Sequence, residues 1–135
     1  MKSDPNFKQA VFEALDAVFQ KMNYKPNVRA FQFCEGEREV VLEKIIYVES
    51  NLHKLRFYMA EGEIRLYTMY ETLNHVAVFF DHEFIRIHQS YLVNLRYVRK
   101  IQGNHLLLSK DISLPIARSK MKDVRRQVAL YKGGI

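Results

Sequence analysis

Several chemistries lack the residues they would need. Cys34 is the only cysteine, which excludes an intramolecular disulfide and any cysteine-rich zinc site and fits a reducing compartment. No apolar run approaches the ~20 residues of a membrane span, and the start Met1-Lys2-Ser3-Asp4-Pro5-Asn6-Phe7-Lys8 lacks the long apolar stretch of a secretory signal. A soluble, cytoplasmic protein is the expectation. There is no zincin-like His-Glu-x-x-His, no Gly-x-Ser-x-Gly elbow and no phosphate-cradling glycine loop. The nearest ionisable constellation is His75, Asp81, His82, Glu83 and His88, but strand neighbours such as Asp81, His82 and Glu83 point to opposite faces and cannot all converge on one metal. No enzymatic activity, metal, cofactor or small-molecule substrate is expected. Internal repeats and low-complexity segments are missing as well. At 135 residues, 48% of them apolar, the chain can bury one core and has no room for a second full domain.

Positive charge is plentiful, and its position matters more than its total. Residues 85–135 hold eleven Lys and Arg against Asp111 and Asp123, a net of +9; the total of +6 leaves −3 on residues 1–84. A last third this basic favours polyanions, whereas a uniformly mixed surface serves mainly solubility. Nucleic acid and anionic membrane are both candidates on charge alone, and so is a plain solvated face.

Patterning divides the chain. Val11, Phe12, Leu15, Val18, Phe19 and Met22 follow one another at spacings that lay one stripe on a helix over Phe7 to Met22. Pro26 ends that segment, because it disfavours helix in the residue before it and has no amide donor. Residues 1–27 thus read as helix and linker, and residues 28–135 as a separate domain. From Val28 the pattern turns β-rich. Ala30 to Phe33 and Val40 to Leu42 flank a turn at Gly36, Ile45 to Glu49 is a third apolar run, and Leu55, Phe57 and Met59 alternate with polar residues. After Glu61-Gly62 the alternation resumes through Ile64 and Leu66, which predicts a hairpin with one buried face. Thr68-x-x-Glu71 has capping-box spacing and predicts a helix over about Met69 to Val78. Strands are expected over Phe84 to Ile87, Tyr97 to Ile101, His105 to Ser109 and Ile112 to Ile116, with turns at Gly103-Asn104 and Lys110-Asp111. A final helix, capped by Ser119, would bury Met121, Val124, Val128 and Tyr131 and leave Lys120, Lys122, Arg125 and Arg126 largely outside.

Three blocks carry the functional signal: Ile-Ile-Tyr-Val-Glu-Ser at 45–50, Phe-Ile-Arg-Ile-His-Gln-Ser-Tyr-Leu-Val-Asn at 84–94, and Leu-Pro-Ile-Ala-Arg-Ser at 114–119. In this order and spacing they resemble the signature of the LytTR family, over roughly Phe31 to Tyr131. The resemblance implies a mainly β, elongated fold of small antiparallel sheets with short helices. It also implies sequence-specific binding of double-stranded DNA by a bacterial transcription regulator, through loops and without a recognition helix. Such binding needs side chains that hydrogen-bond base edges in major grooves, with Lys and Arg around them on phosphates.

The family's reading side chains come from the loop after the Glu-Ser block, from the position between His and Ser in the central block, and from the Arg of the last block. Carried over, the second is Gln89, an amide that can give and accept hydrogen bonds at an adenine edge or donate to phosphate. The third is Arg118, whose planar fork matches guanine O6 and N7. The first loop offers both His53 and Lys54, with Lys120 and Lys122 placed for phosphate at the opening of the last helix. His88 reads as a brace within its loop, Ser90 and Asn94 as turn ties, Tyr91, Leu92 and Val93 as core, and Glu49 as a group positioning a basic side chain or a backbone amide.

The resemblance further implies a phosphorylated receiver domain ahead of this one and pairing on imperfect direct repeats, the output arrangement of a two-component response regulator. The helix over Phe7 to Met22 reads either as the remnant of a receiver linkage or as a native extension, and its stripe leaves a homodimer open. The alternative is a basic β-rich RNA-binding or protein-interaction module, since eight tyrosines and nine phenylalanines could stack unpaired bases. Membrane binding is weaker, because the basic last helix lacks an exposed bulky apolar face.

Overall fold

The structure is a computed structural model and describes residues 10–11, 27–80 and 83–133. Of the helix expected over Phe7 to Met22 only Ala10 and Val11 fall among these, both helical and exposed; the rest lies outside the described residues. The chain then runs through β1 (Val28–Phe33), β2 (Gly36–Val41), β3 (Ile45–Asn51), β4 (Lys54–Glu61), β5 (Glu63–Tyr70) and α1 (Leu73–Ala77). It continues through β6 (Phe84–His88), β7 (Tyr91–Asn94), β8 (Val98–Gln102), β9 (His105–Leu108), β10 (Ile112–Pro115) and α2 (Met121–Gly133). The strands form three antiparallel sheets: the pair β1-β2, a central five in the order β5-β4-β3-β7-β6, and a three in the order β10-β9-β8. This is the mainly β architecture of small sheets that the sequence implies.

The central sheet is apolar on both faces, so both must be covered. Leu55, Phe57 and Met59 of β4, Val48 of β3 and Leu92 of β7 pack beneath Phe31, Phe33 and Val40 of the β1-β2 hairpin and Leu73 and Val76 of α1. On the other face Ile46, Ile85, Ile87 and Val93 meet Leu106, Leu108 and Leu114 of the three-stranded sheet and Val124 and Val128 of α2. β3 sits at the centre, and its run Ile45 to Val48 is buried throughout, feeding both cores. Asn94 is fully buried yet satisfied: Nδ2 donates to the carbonyl of Ile45 (3.0 Å), and Oδ1 accepts from the amide of Arg96 (3.0 Å).

Three local expectations are corrected. Glu61 pairs with Glu63 across Gly62, so Phe57 faces Tyr67 and Leu55 faces Met69. Tyr67 is therefore the buried residue, and Ile64 and Leu66, set against Ala60 and Tyr58, are 39% and 46% exposed. A one-residue change of phase turns every side chain over. Thr68 does not open a helix: it lies buried in β5, where its amide and hydroxyl donate to the two carboxylate oxygens of Glu35 (3.0 and 2.9 Å). These bonds hold the Glu35 carboxyl below its ordinary range. The cap is Thr72, whose hydroxyl accepts from the amide of His75 (3.2 Å), and the helix is only Leu73–Ala77. Ser119 does not cap α2 either, since the chain enters that helix through the 3-10 turn Arg118–Lys120, with no side-chain bond at the preceding Ala117.

Val124 of α2 is fully buried against the second core, with Met121 and Tyr131 packed beside it. An unpaired carboxylate there would cost several kcal/mol. Val124→Asp should abolish the cooperative melt or lower its midpoint severely in circular dichroism; an unchanged midpoint would mean that α2 is not packed as described.

Candidate nucleic-acid interface

Antiparallel pairing gathers one end of the central sheet. Asn51 at the end of β3 pairs with Lys54 at the start of β4, which pairs with Tyr70 at the end of β5; Glu49 pairs with Tyr91 at the start of β7, which pairs with His88 at the end of β6. The turns Leu52-His53 and Gln89-Ser90 and the chain leading into α1 therefore emerge together. Backbone bonds fix them there. The amide of Ser50 donates to the carbonyl of Ser90 (2.8 Å), and that of Glu71 donates to the carbonyl of His53 (3.1 Å). The segment before α2 joins them through the amide of Ala117, which donates to the carbonyl of Ile87 (2.8 Å).

Side chains brace the Gln89 turn from within. Arg86 donates through Nη1 to Oδ1 of Asn74 (2.7 Å), through Nη2 to the carbonyl of Gln89 (2.8 Å) and through Nε to the carbonyl of His88 (3.2 Å). Partial burial pulls its guanidinium below the ordinary arginine range, though arginine stays protonated under all working conditions. His88 accepts at Nδ1 from the amide of Ser90 (3.0 Å), the bracing role expected of it. Glu49 faces Arg56 Nη1 (3.2 Å) and the hydroxyls of Tyr58 and Tyr91 (3.3 and 3.4 Å), so its charge is taken up within the domain. Burial first, and the Glu49 carboxylate second, push both of those tyrosine hydroxyls above their ordinary range.

The expected site residues are brought together in part. Gln89 and Lys120 line one groove of about 420 Å³, together with Asn74, Arg86 and His88. Gln89 and His53 line a second of about 430 Å³, again with Asn74 and Arg86. A continuous surface thus runs from Lys120 across Gln89 to His53. Lys54 lies in a third depression of about 360 Å³ with Arg56 and Tyr70, its ammonium 5.7 Å from the Tyr70 ring centre. Arg118 is exposed on the 3-10 turn and Lys122 on the first turn of α2, neither lining these grooves. Three contributors escaped the sequence reading. Arg86 could have been found, since strand alternation places it on the face of His88 and away from Ile85 and Ile87. Asn74 depended on where α1 begins, and Leu52 on a backbone conformation with no sequence signal.

Of the ionisable constellation, Asp81 and His82 lie outside the described residues; among the described residues no group of three or more His, Cys, Asp or Glu is placed to hold a metal. No helix among them is long and apolar enough to cross a membrane.

A family model described as the LytTr DNA-binding domain matches residues 37–129. Among solved structures, the chain is similar to the LytTr DNA-binding domain of a methyl-accepting/DNA response regulator from Bacillus cereus, with a TM-score of 0.64 and 20% identity over 75% of this chain and 95% of that one. At that identity the likeness speaks for the fold. No curated protein matches the chain.

If Arg86 braces the Gln89 turn, Arg86→Ala should speed amide hydrogen exchange at Ser50 and Ser90 by about tenfold, the worth of one charge-assisted bond, with only a few degrees lost in melting temperature. Unchanged exchange at both amides would show that the turn is held without it.

Proposed function

The chain belongs to the LytTR family of DNA-binding domains, and on that premise we propose that it is the sequence-reading output domain of a bacterial transcription regulator of the two-component response-regulator type. It binds duplex DNA by setting the turns at one end of its central sheet into major grooves. The observation that carries this reading is the continuous surface from Lys120 across Gln89 to His53, held by backbone bonds and by Arg86. Projecting turns on a rigid sheet suit a major groove about 12 Å wide.

Roles divide by chemistry. Gln89 and Arg118 read base edges, Lys120 and Lys122 hold phosphates, and His53 and Lys54 serve the neighbouring contact. Residues 28–135 form the DNA-binding unit, and residues 1–27 connect it to a receiver or to a second copy, which suits imperfect direct repeats. Single-strand stacking has less support: Tyr70 is the one exposed aromatic among the described residues, and Lys54 lies over it.

Selection from a random duplex pool should enrich a repeated motif. On it, the logarithm of affinity should fall linearly with the logarithm of salt, by about 0.9 per phosphate neutralised. Arg118→Ala should lose about 1–3 kcal/mol on the preferred duplex and much less on random duplex. Lys122→Ala should weaken both alike and reduce the salt slope by about one, and Gln89→Ala should fall between the two. Fluorescence anisotropy on both duplexes at two salt concentrations reads all three. Equal losses for Arg118→Ala on both duplexes would make it a phosphate clamp and move base reading to His53 and Lys54. No enriched motif would leave only a basic domain.

A further inference from the structure

Leu52 occupies a position that folding would not give to a leucine. Leu52 is 89% exposed, and its φ is 59°, a left-handed value that suits glycine or asparagine and that a bulky residue resists. It is the first of only two residues joining paired Asn51 and Lys54, the kind of turn that selects glycine, asparagine or aspartate. Neither burial nor backbone conformation accounts for the leucine.

Its surroundings do. Leu52 lines both the groove that holds Gln89 and the depression that holds Lys54 and Arg56, and so forms the ridge between them. An isobutyl group offers nothing to a phosphate. Standing beside His53 and within the groove of Gln89, it matches the one apolar group that base pairs display in the major groove, the C5-methyl of thymine. We propose that Leu52 is a specificity-determining residue that packs on a thymine methyl in the preferred duplex, an inference that rests on the DNA-reading role of this face.

The test uses the whole chain and the duplex it enriches, with each thymine replaced in turn by deoxyuridine. That change removes the methyl and keeps every hydrogen-bonding group. Wild type should lose about three- to fivefold in affinity at one thymine, as expected for one buried methyl. Leu52→Gly should lose the same factor on the unmodified duplex and be indifferent to deoxyuridine at that position. Its melting temperature should not fall below wild type, since glycine accepts the positive φ. If both proteins respond alike to every replacement while Arg118→Ala still costs more affinity on preferred than on random DNA, Leu52 does not touch a methyl and the proposal is wrong. If no duplex is preferred at all, the DNA-reading role itself falls, and this inference with it.

Discussion

A five-stranded sheet with apolar side chains on both faces can leave neither face to water, and the rest of the domain follows from that constraint. The run Ile45 to Val48 at the sheet's centre is buried throughout and feeds two separate cores. One needs the β1-β2 hairpin and α1 as its lid; the other needs β8 to β10 and α2. With both faces covered, what remains open to a large ligand is an end of the sheet, where antiparallel pairing collects turns from β3-β4 and β6-β7. The lids contribute there too, through Asn74 of α1 and through the Ala117 to Lys120 segment tied to β6.

Charge follows the same division. The last third of the chain carries the net positive charge, yet the acidic Glu49 lies close to the proposed surface. It is enclosed by Arg56, Tyr58 and Tyr91 and does not face an incoming phosphate alone. Tyr47 stacks on Tyr58 with ring centres 4.3 Å apart, and burial pushes its hydroxyl far above the ordinary tyrosine range. The tyrosines and Arg56 thus turn a carboxylate that would repel DNA into part of the scaffold. A carboxylate satisfied in this way costs the interface far less than a bare one.

Much of this was legible in the sequence because hydrophobic period and turn residues agree in most strands. Gly62 and Gly103 take the positive φ that their turns require (78° and 60°), and Val124 and Val128 are buried where helical spacing puts them. Two of the three misreadings share one cause: a local signal was overruled by the register and contacts of β5. Ile64 and Leu66 look like the buried arm of a hairpin, but pairing across Gly62 hands that role to Tyr67 and Met69. Thr68 has the spacing of a cap, but Glu35, thirty-three residues away, claims its amide and hydroxyl. At the site, Gln89 and Arg118 came from the family motif and Arg86 follows from the alternation along β6, whereas Asn74 emerges only when β6 and α1 are seen side by side. Leu52 was invisible because nothing in a sequence announces a leucine at positive φ.

In the proposed complex, one end of the central sheet meets the duplex. Amide chemical shifts recorded while the chain is titrated with its enriched duplex locate that contact residue by residue. Large changes are expected at residues 51–54, 72–74, 88–90 and 117–122, with little change at the opposite end of the sheet around Glu61 to Glu63. Changes concentrated around Glu61 to Glu63, or on β8 and β9 with the Gln89 turn silent, would contradict that placement of the duplex.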